Sequence, residues 1–380
     1  MIYADYAATT PLDSLVFEHM RPYLTDCYYN PSALYPEARQ AYEALGRARK
    51  QTADLIGAPA ERIVFTSGGT EGDNLAVLGT ALHAGQHRRH LITSAIEHHA
   101  ILETCAWLEP KGFRVTRLPV DSRGLVNPRD LEKAMTKDTF LVSVMWVNNE
   151  LGTVQDIPEL ARIAHAGGAL FHTDAVQAVT TQDIDVEAAG IDMLTLSSHK
   201  FYGPKGAGAL YVREGVPISP MQHGGQQEYL LRGGTENVPA LIGMGAAAQR
   251  LKESGKHIRS DMARWKKRLI RELTKVEGIR INSPCKYTAD SILHLAVEGI
   301  EAEGMLFWLA RAGVQASMGS ACNSSSVEPS HVVRAIGLSE KWARGCVRLS
   351  FGCGLTDEKI DELIKSIIGT VKHLQNAGKR

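Results

Sequence analysis

Lys200 stands in Ser197-Ser198-His199-Lys200-Phe201-Tyr202-Gly203-Pro204-Lys205-Gly206, after an apolar segment (Ile191, Met193, Leu194, Leu196) and before a glycine-rich turn. An amine buried beside a cofactor can lose its proton and form a Schiff base, and pyridoxal phosphate is the aldehyde that uses lysine in this way. A lysine in a surface loop is the plainer reading, since lysines are rarely buried. Asp174 bears on the choice, because it closes a short apolar run (Ala169, Leu170, Phe171) as the carboxyl end of a parallel strand should. Ligands of open α/β sheets gather at that edge. A carboxylate there can pair with a protonated pyridine nitrogen and keep the ring electron-poor; otherwise it caps the following helix.

A phosphate needs its own cradle. Ile63-Val64-Phe65 reads as a strand, and Ser67-Gly68-Gly69-Thr70-Glu71 leads into a helical pattern through Asn74, Leu75, Val77 and Leu78. Glycines let backbone N–H groups approach an anion, and a helix N-terminus favours negative charge. No Gly-Lys-Ser/Thr follows, so the nucleotide P-loop pattern is absent. Gly68, Gly69 and Thr70 therefore suit a single phosphate better than a triphosphate, with a plain strand-to-helix turn as the alternative for the glycines alone.

These segments, in this order, resemble the fold-type I pyridoxal-phosphate enzymes, and within them the NifS/IscS-type cysteine desulfurases of the class V aminotransferase group. The resemblance covers essentially the whole chain. It runs from Tyr3-Ala4-Asp5-Tyr6-Ala7-Ala8-Thr9-Thr10-Pro11 through Asn30-Pro31-Ser32, Glu97-His98-His99 and Val147-Asn148-Asn149-Glu150-Leu151-Gly152 to Gly319-Ser320-Ala321-Cys322 and Val347-Arg348-Leu349-Ser350. It implies a mostly parallel central sheet with helices on both faces, plus a smaller α+β domain.

The resemblance also assigns roles. His98 would stack on the cofactor ring and help move protons, which suits a group that titrates near neutrality; a core or metal histidine is the alternative, and no matching metal-ligand spacing accompanies it. Asn149 and Gln177 would be hydrogen-bond partners of the substrate carboxylate and the cofactor's phenolic oxygen. Ser197 and His199 would join Thr70 on the phosphate. Thr235, in Arg232-Gly233-Gly234-Thr235-Glu236-Asn237, would reach the phosphate of a neighbouring subunit, making the active site a property of a homodimer. Arg348 would hold the carboxylate of L-cysteine through two parallel hydrogen bonds; a surface salt bridge is the alternative.

Cys322 separates desulfurases from aminotransferases of the same fold. It lies in a small, polar run from Met318 to Pro329 with the composition of a mobile loop. A thiolate there would attack a substrate sulfur and pass it on to an acceptor protein, whereas an inert cysteine in a tight turn would do neither. A class V aminotransferase or a selenocysteine lyase would use the same cofactor site without depending on Cys322, and a non-catalytic partner protein would retain the fold only as a docking scaffold, against which the complete Lys200, Asp174, His98 and Arg348 set argues.

Composition sets limits. Lys+Arg and Asp+Glu both number 42 in the 380 residues, so no charge bias points to nucleic acid or a membrane. The six cysteines (Cys27, Cys105, Cys285, Cys322, Cys346, Cys353) are scattered without a Cys-x-x-Cys motif, which argues against a disulfide scaffold or structural zinc. With no signal-like or membrane-spanning run, a cytoplasmic protein is expected.

The elements that must position these residues follow from hydrophobic pattern. A helix is expected near 36–56, and strands near 63–66, 90–95, 114–118, 140–147, 169–173, 192–196 and 207–213. A long charged helix near 246–275 then leads to strands near 291–297 and 346–351 and helices near 301–312 and 357–376. The expected division is a large cofactor-binding domain over 15–250 and a small domain over 1–14 and 251–380, with the cysteine loop at about 318–330. The chain departs from the family in three places: Tyr35 replaces a usual histidine, Tyr229-Leu230 an Arg-Gly after Glu228, and Cys353 a frequent arginine.

Overall fold

The computed structural model describes residues 1–84, 87–319 and 328–377. Among the described residues twelve strands succeed one another: β1 (Ile2–Tyr3), β2 (Ile63–Thr66), β3 (His90–Ser94), β4 (Arg114–Leu118), β5 (Thr139–Ser143), β6 (Leu170–Asp174), β7 (Met193–Ser197), β8 (Gly208–Val212), β9 (Ile279–Ile281), β10 (Ile292–Val297), β11 (Val314–Gln315) and β12 (Cys346–Ser350). Seven of them form the main sheet, in the order β2-β8-β7-β6-β5-β3-β4. The pairs from β7 through β4 are parallel, and β8 runs antiparallel to both of its neighbours. The carboxyl ends of β2, β3, β5, β6 and β7 therefore share one edge.

Period-two alternation divides each buried strand between two cores. Ile63, Phe65, Val142, Leu194, Leu196, Ala209 and Tyr211 join the core under the helices Pro36–Leu55, Ile157–Ala166 and the first half of Val238–Leu273. Val64, Leu141, Met193, Leu210 and Val212 face the helices Gly69–Ala84 and His99–Leu108. Both faces are covered, as a parallel sheet requires.

A second sheet, β12-β10-β9, is antiparallel. Its core combines Leu293, Leu295, Val347 and Leu349 with the helices Ala302–Arg311 and Asp357–Ala377, and with Met262, Trp265 and Leu269 from the far half of the 36-residue helix Val238–Leu273. Ile2, Ala4 and Tyr6 belong to this same core, and β1 pairs with β11. No helix among the described residues is long and apolar enough to cross a membrane.

Two boundaries differ from expectation for identifiable reasons. The long helix begins at Val238 rather than near 246, capped by Asn237, because Gly243 and Gly245 do not break it. A Cβ on Gly245 would come within 2.5 Å of Ala48 Cα, so glycine there permits a close crossing with Pro36–Leu55. The strand expected over 140–147 ends at Ser143, since the Met145 N–H is diverted to the Glu97 carboxylate, 3.0 Å from each oxygen. The two-residue strands β1 and β11, and the short β9, lack the length that gives a readable pattern.

Candidate active site

At the shared strand edge lies a cleft of about 270 Å3. Its lining includes Gly69, Thr70, His98, Asn149, Asp174, Gln177, Ser197, His199, Lys200 and Arg348, so ten of the twelve candidate residues come together. Thr235 does not join them: it lines a separate cavity with Ser67, Gly206 and Glu228. Cys322 lies outside the described residues.

The phosphate turn owes its shape to glycines. Gly68 has φ +156°, and a Cβ on Gly69 would come within 3.0 Å of Val176 Cγ2. A side chain on Gly208 would run into Gly68 Cα at 2.6 Å, so β8 can lie against the turn only because it begins with glycine. The helix Gly69–Ala84 starts there with its N-terminal amides at the cleft.

At the end of β6, Asp174 accepts from the Val176 N–H at 2.9 Å, so the capping alternative survives in part, as a turn rather than a helix cap. Burial pushes its pKa up to about 6, against the Val176 hydrogen bond and Lys200, which favour the carboxylate. The Lys200 amine donates to the carbonyls of Ala7 and Ala8 at 2.6 and 2.9 Å. Gln177 Nε2 donates to the same Ala7 carbonyl at 2.8 Å, and His199 Nδ1 meets Thr9 Oγ1 at 3.0 Å. The N-terminal segment is thus a structural part of the cleft floor.

His98 leads into the helix His99–Leu108, and its Nδ1 accepts the Ala100 N–H at 3.1 Å. Burial, aided by Lys200, lowers its pKa to about 4. The neutral ring must therefore carry its proton on Nε2, which makes His98 a donor toward the cleft.

Arg348, on β12, is 2 % exposed. Its Nη2 donates to Asp5 Oδ1 at 2.7 Å and its Nη1 to the Asn149 carbonyl at 2.8 Å, while Nε has no partner among the described residues. Asn149 thus meets Arg348 through its backbone.

Sequence reasoning assigned no role to Asp5, Asp73, Glu97, Glu150 or His331, although the last four also line the cleft. Glu97 and Glu150 adjoin candidate residues, which is the one signal the sequence offers for them. Burial raises Glu97 to about 8 and Glu150 to about 7, and drives Asp73 well above the carboxylate range with help from Asp174. Among the described residues, no group of three or more His, Cys, Asp or Glu could hold a metal.

The three departures from the family lie away from this floor. Glu228, Tyr229 and Leu230 all have positive φ (44°, 58° and 66°), so leucine stands in a left-handed position where the family's glycine would be unstrained. Glu228 anchors the turn by accepting from Arg49 and from the Phe65 N–H. Tyr35 precedes the helix Pro36–Leu55, and the Cys353 N–H donates to the Tyr202 hydroxyl at 3.0 Å.

The donor set fits pyridoxal phosphate: a glycine-shaped helix N-terminus and hydroxyls for the phosphate, a buried carboxylate for the ring nitrogen, and an amine for the aldehyde. The chain is also similar to known proteins. It is 45% identical to the cysteine desulfurase IscS of Methanosarcina thermophila over 99% of this chain and 93% of that one. Among solved structures, a NifS-like protein superposes with a TM-score of 0.93 at 34% identity, covering 98% of this chain and all of the other. SspA in complex with cysteine gives a TM-score of 0.84 at 40% identity over 93% of this chain and 99% of that one. The aminotransferase class-V model matches residues 2–363, and with relatives aligned over nearly its full length the chain belongs to that family.

Proposed function

We infer that this chain is a pyridoxal-phosphate-dependent cysteine desulfurase, which converts L-cysteine to L-alanine and passes the sulfur onward. The observation that carries this reading is the convergence in one cleft of Lys200, Asp174, the Gly69–Thr70 turn and Arg348. The cysteine bound to SspA supports the choice of substrate.

Thr70, Ser197, His199 and the amides that follow Gly68 would hold the phosphate, Asp174 the ring nitrogen and Gln177 the phenolic oxygen, with His98 stacked on the ring. When bound, the cofactor supplies an aldehyde for an amine and an electron-poor ring. Lys200, steered by the Ala7 and Ala8 carbonyls, moves the proton at the substrate's α-carbon. Arg348, braced by Asp5 and the Asn149 carbonyl, holds the substrate carboxylate, and the Asn149 side chain assists. His98 keeps its Nε2 proton and directs that N–H as a hydrogen-bond donor toward the reacting groups. The Cys322 thiolate attacks the substrate sulfur, the C–S bond breaks with its electrons passing to carbon, and a persulfide remains on Cys322 after alanine leaves.

Thr235 would serve the phosphate of a second copy, so the working unit is a homodimer. An acceptor protein takes the sulfur for iron–sulfur, thio-cofactor, tRNA or DNA modification pathways, without direct nucleic-acid or membrane contact by this cytoplasmic enzyme. The division into residues 15–250 and 1–14 with 251–380 is supported by the separate core that Ile2, Ala4 and Tyr6 share with residues from Met262 onward.

The test uses Cys322→Ser. The variant should keep the visible absorption of the bound cofactor and its response to cysteine, and should form no protein persulfide. Full release of sulfide and alanine by the serine variant would overturn the relay.

A further inference from the structure

Four histidines line the cleft; His98 and His199 have roles in the chemistry above, and His99 and His331 have none. His99 lies next to His98 and His331: its ring centroid is 6.4 Å from that of His98 and 5.0 Å from that of His331, the latter edge-on at 61°. Hydrogen bonds decide what each ring can do. His98 uses Nδ1 as an acceptor and is left with an N–H. His331 does the reverse: its Nε2 lies 3.0 Å from the Glu97 carbonyl oxygen, and a carbonyl can only accept, so the proton sits on Nε2. Burial, with His99 and His98 adding to it against the Glu97 carbonyl, keeps the ring neutral by lowering its pKa. A lone pair therefore remains on Nδ1, which is buried and has no hydrogen-bond partner among the described residues.

The ring's place in the fold is fixed. His331 opens the helix His331–Ala335, which Ser330 caps by accepting from the Val332 and Val333 N–H groups. The Ser330 hydroxyl in turn donates to Glu150 at 2.6 Å. Gly319, whose Cβ would come within 2.7 Å of that same Glu150 oxygen, lines the cleft beside it. The ring that carries this buried acceptor nitrogen thus lines the cleft, held by contacts that leave the lone pair uncommitted.

We propose that His331 Nδ1 is the proton acceptor for the thiol of the bound substrate. This rests on the reading of the substrate as cysteine. The S–H group donates to Nδ1 and is oriented by it. As an attacking protein thiolate forms the S–S bond, the C–S bond breaks and its electron pair goes to carbon. The S–H proton passes to Nδ1, leaving a deprotonated persulfide and an imidazolium that later loses its proton to water. His98 and His331 then play opposite parts, one donating a hydrogen bond and the other accepting a proton, each fixed in its role by a backbone group.

His331→Gln separates this from a structural role, because the glutamine amide can still donate to the Glu97 carbonyl but offers no base. In the holoenzyme the variant should lose about 10²-fold in turnover of cysteine, with the cofactor's absorption spectrum unchanged. Selenocysteine, whose selenol is ionised at neutral pH, should be turned over at close to the wild-type rate. Equal losses on both substrates, or no loss on cysteine, would overturn the proposal. Should the variant not fold, the wild-type holoenzyme gives a second reading: the His331 15Nδ1 shift should move on binding 3-mercaptopropionate and not on binding propionate, and the same shift with both would refute the contact. Wild-type holoenzyme that releases no alanine from cysteine would instead overturn the desulfurase reading beneath it.

Discussion

The two sides of the cleft are built on opposite principles. Where the cofactor is proposed to bind, the protein already satisfies the groups that matter: Asp174 by the Val176 N–H, Gln177 and Lys200 by the Ala7 carbonyl, His199 by Thr9. On the side of Glu150, His331 and Arg348, one polar atom of each residue, Oε1, Nδ1 and Nε respectively, is buried without a partner among the described residues. Asp73 Oδ1 is the exception on the first side. Buried polar groups without partners cost about 1–3 kcal/mol each. A site that retains its cofactor can be set rigidly by internal bonds, whereas one that must receive and release a substrate keeps donors and acceptors in reserve.

The largest effect should come from the committed side. Lys200→Ala removes the one lysine that lines the cleft among the described residues, and turnover should fall by about 10³-fold or more. The visible band of the lysine-bound cofactor should vanish with it, and a variant that kept both would sink the assignment. Arg348→Ala acts on the other side. A charge-assisted pair of hydrogen bonds to the substrate carboxylate is at stake, so kcat/KM for cysteine should drop by about 10²-fold, mainly through KM. Cofactor absorption should be unaffected. If Arg348→Ala released the cofactor instead, the two sides would not be the separate devices described above.

The committed side was the more legible in sequence. Strand, glycine turn and lysine lie within short segments, so Gly69, Asp174, Ser197 and Lys200 announce themselves by local pattern, and the alternation of apolar residues fixes which strand end each occupies. The N-terminal carbonyls of Ala7 and Ala8 leave no such trace, because a backbone acceptor has no residue type. Asp5 and Arg348 are 343 positions apart and meet only because β12 lies beside the chain's first residues. His331 is a lone histidine whose tautomer is set by a carbonyl 234 positions away. Chemistry assembled from long-range backbone contacts has no spacing to read.

Glu97 sits where the two sides meet, and it gives the smallest and most discriminating effect. Its carboxyl accepts the Met145 N–H and the Ser94 hydroxyl, and its carbonyl orients His331. Burial raises its pKa from 4.5 to about 8. A carboxyl whose folded pKa lies above its unfolded value contributes stability that is fully present below pH 4.5 and is lost as pH rises through 8, because the unfolded chain releases the proton first. Glu97→Gln keeps the shape and cannot ionise. The melting temperature of the cofactor-free variant should therefore rise relative to wild type between pH 5 and pH 9, by on the order of 3 °C. The histidines work in the other direction: His172, pushed down to about 3 by burial, removes stability only as pH falls below 6.5, so it leaves the alkaline window to the carboxyls. A melting difference independent of pH across that window would mean that Glu97 is ionised in the folded protein. The His331 ring would then stand beside a charge, and its neutral state, on which the contrast between the two sides depends, would have to be abandoned.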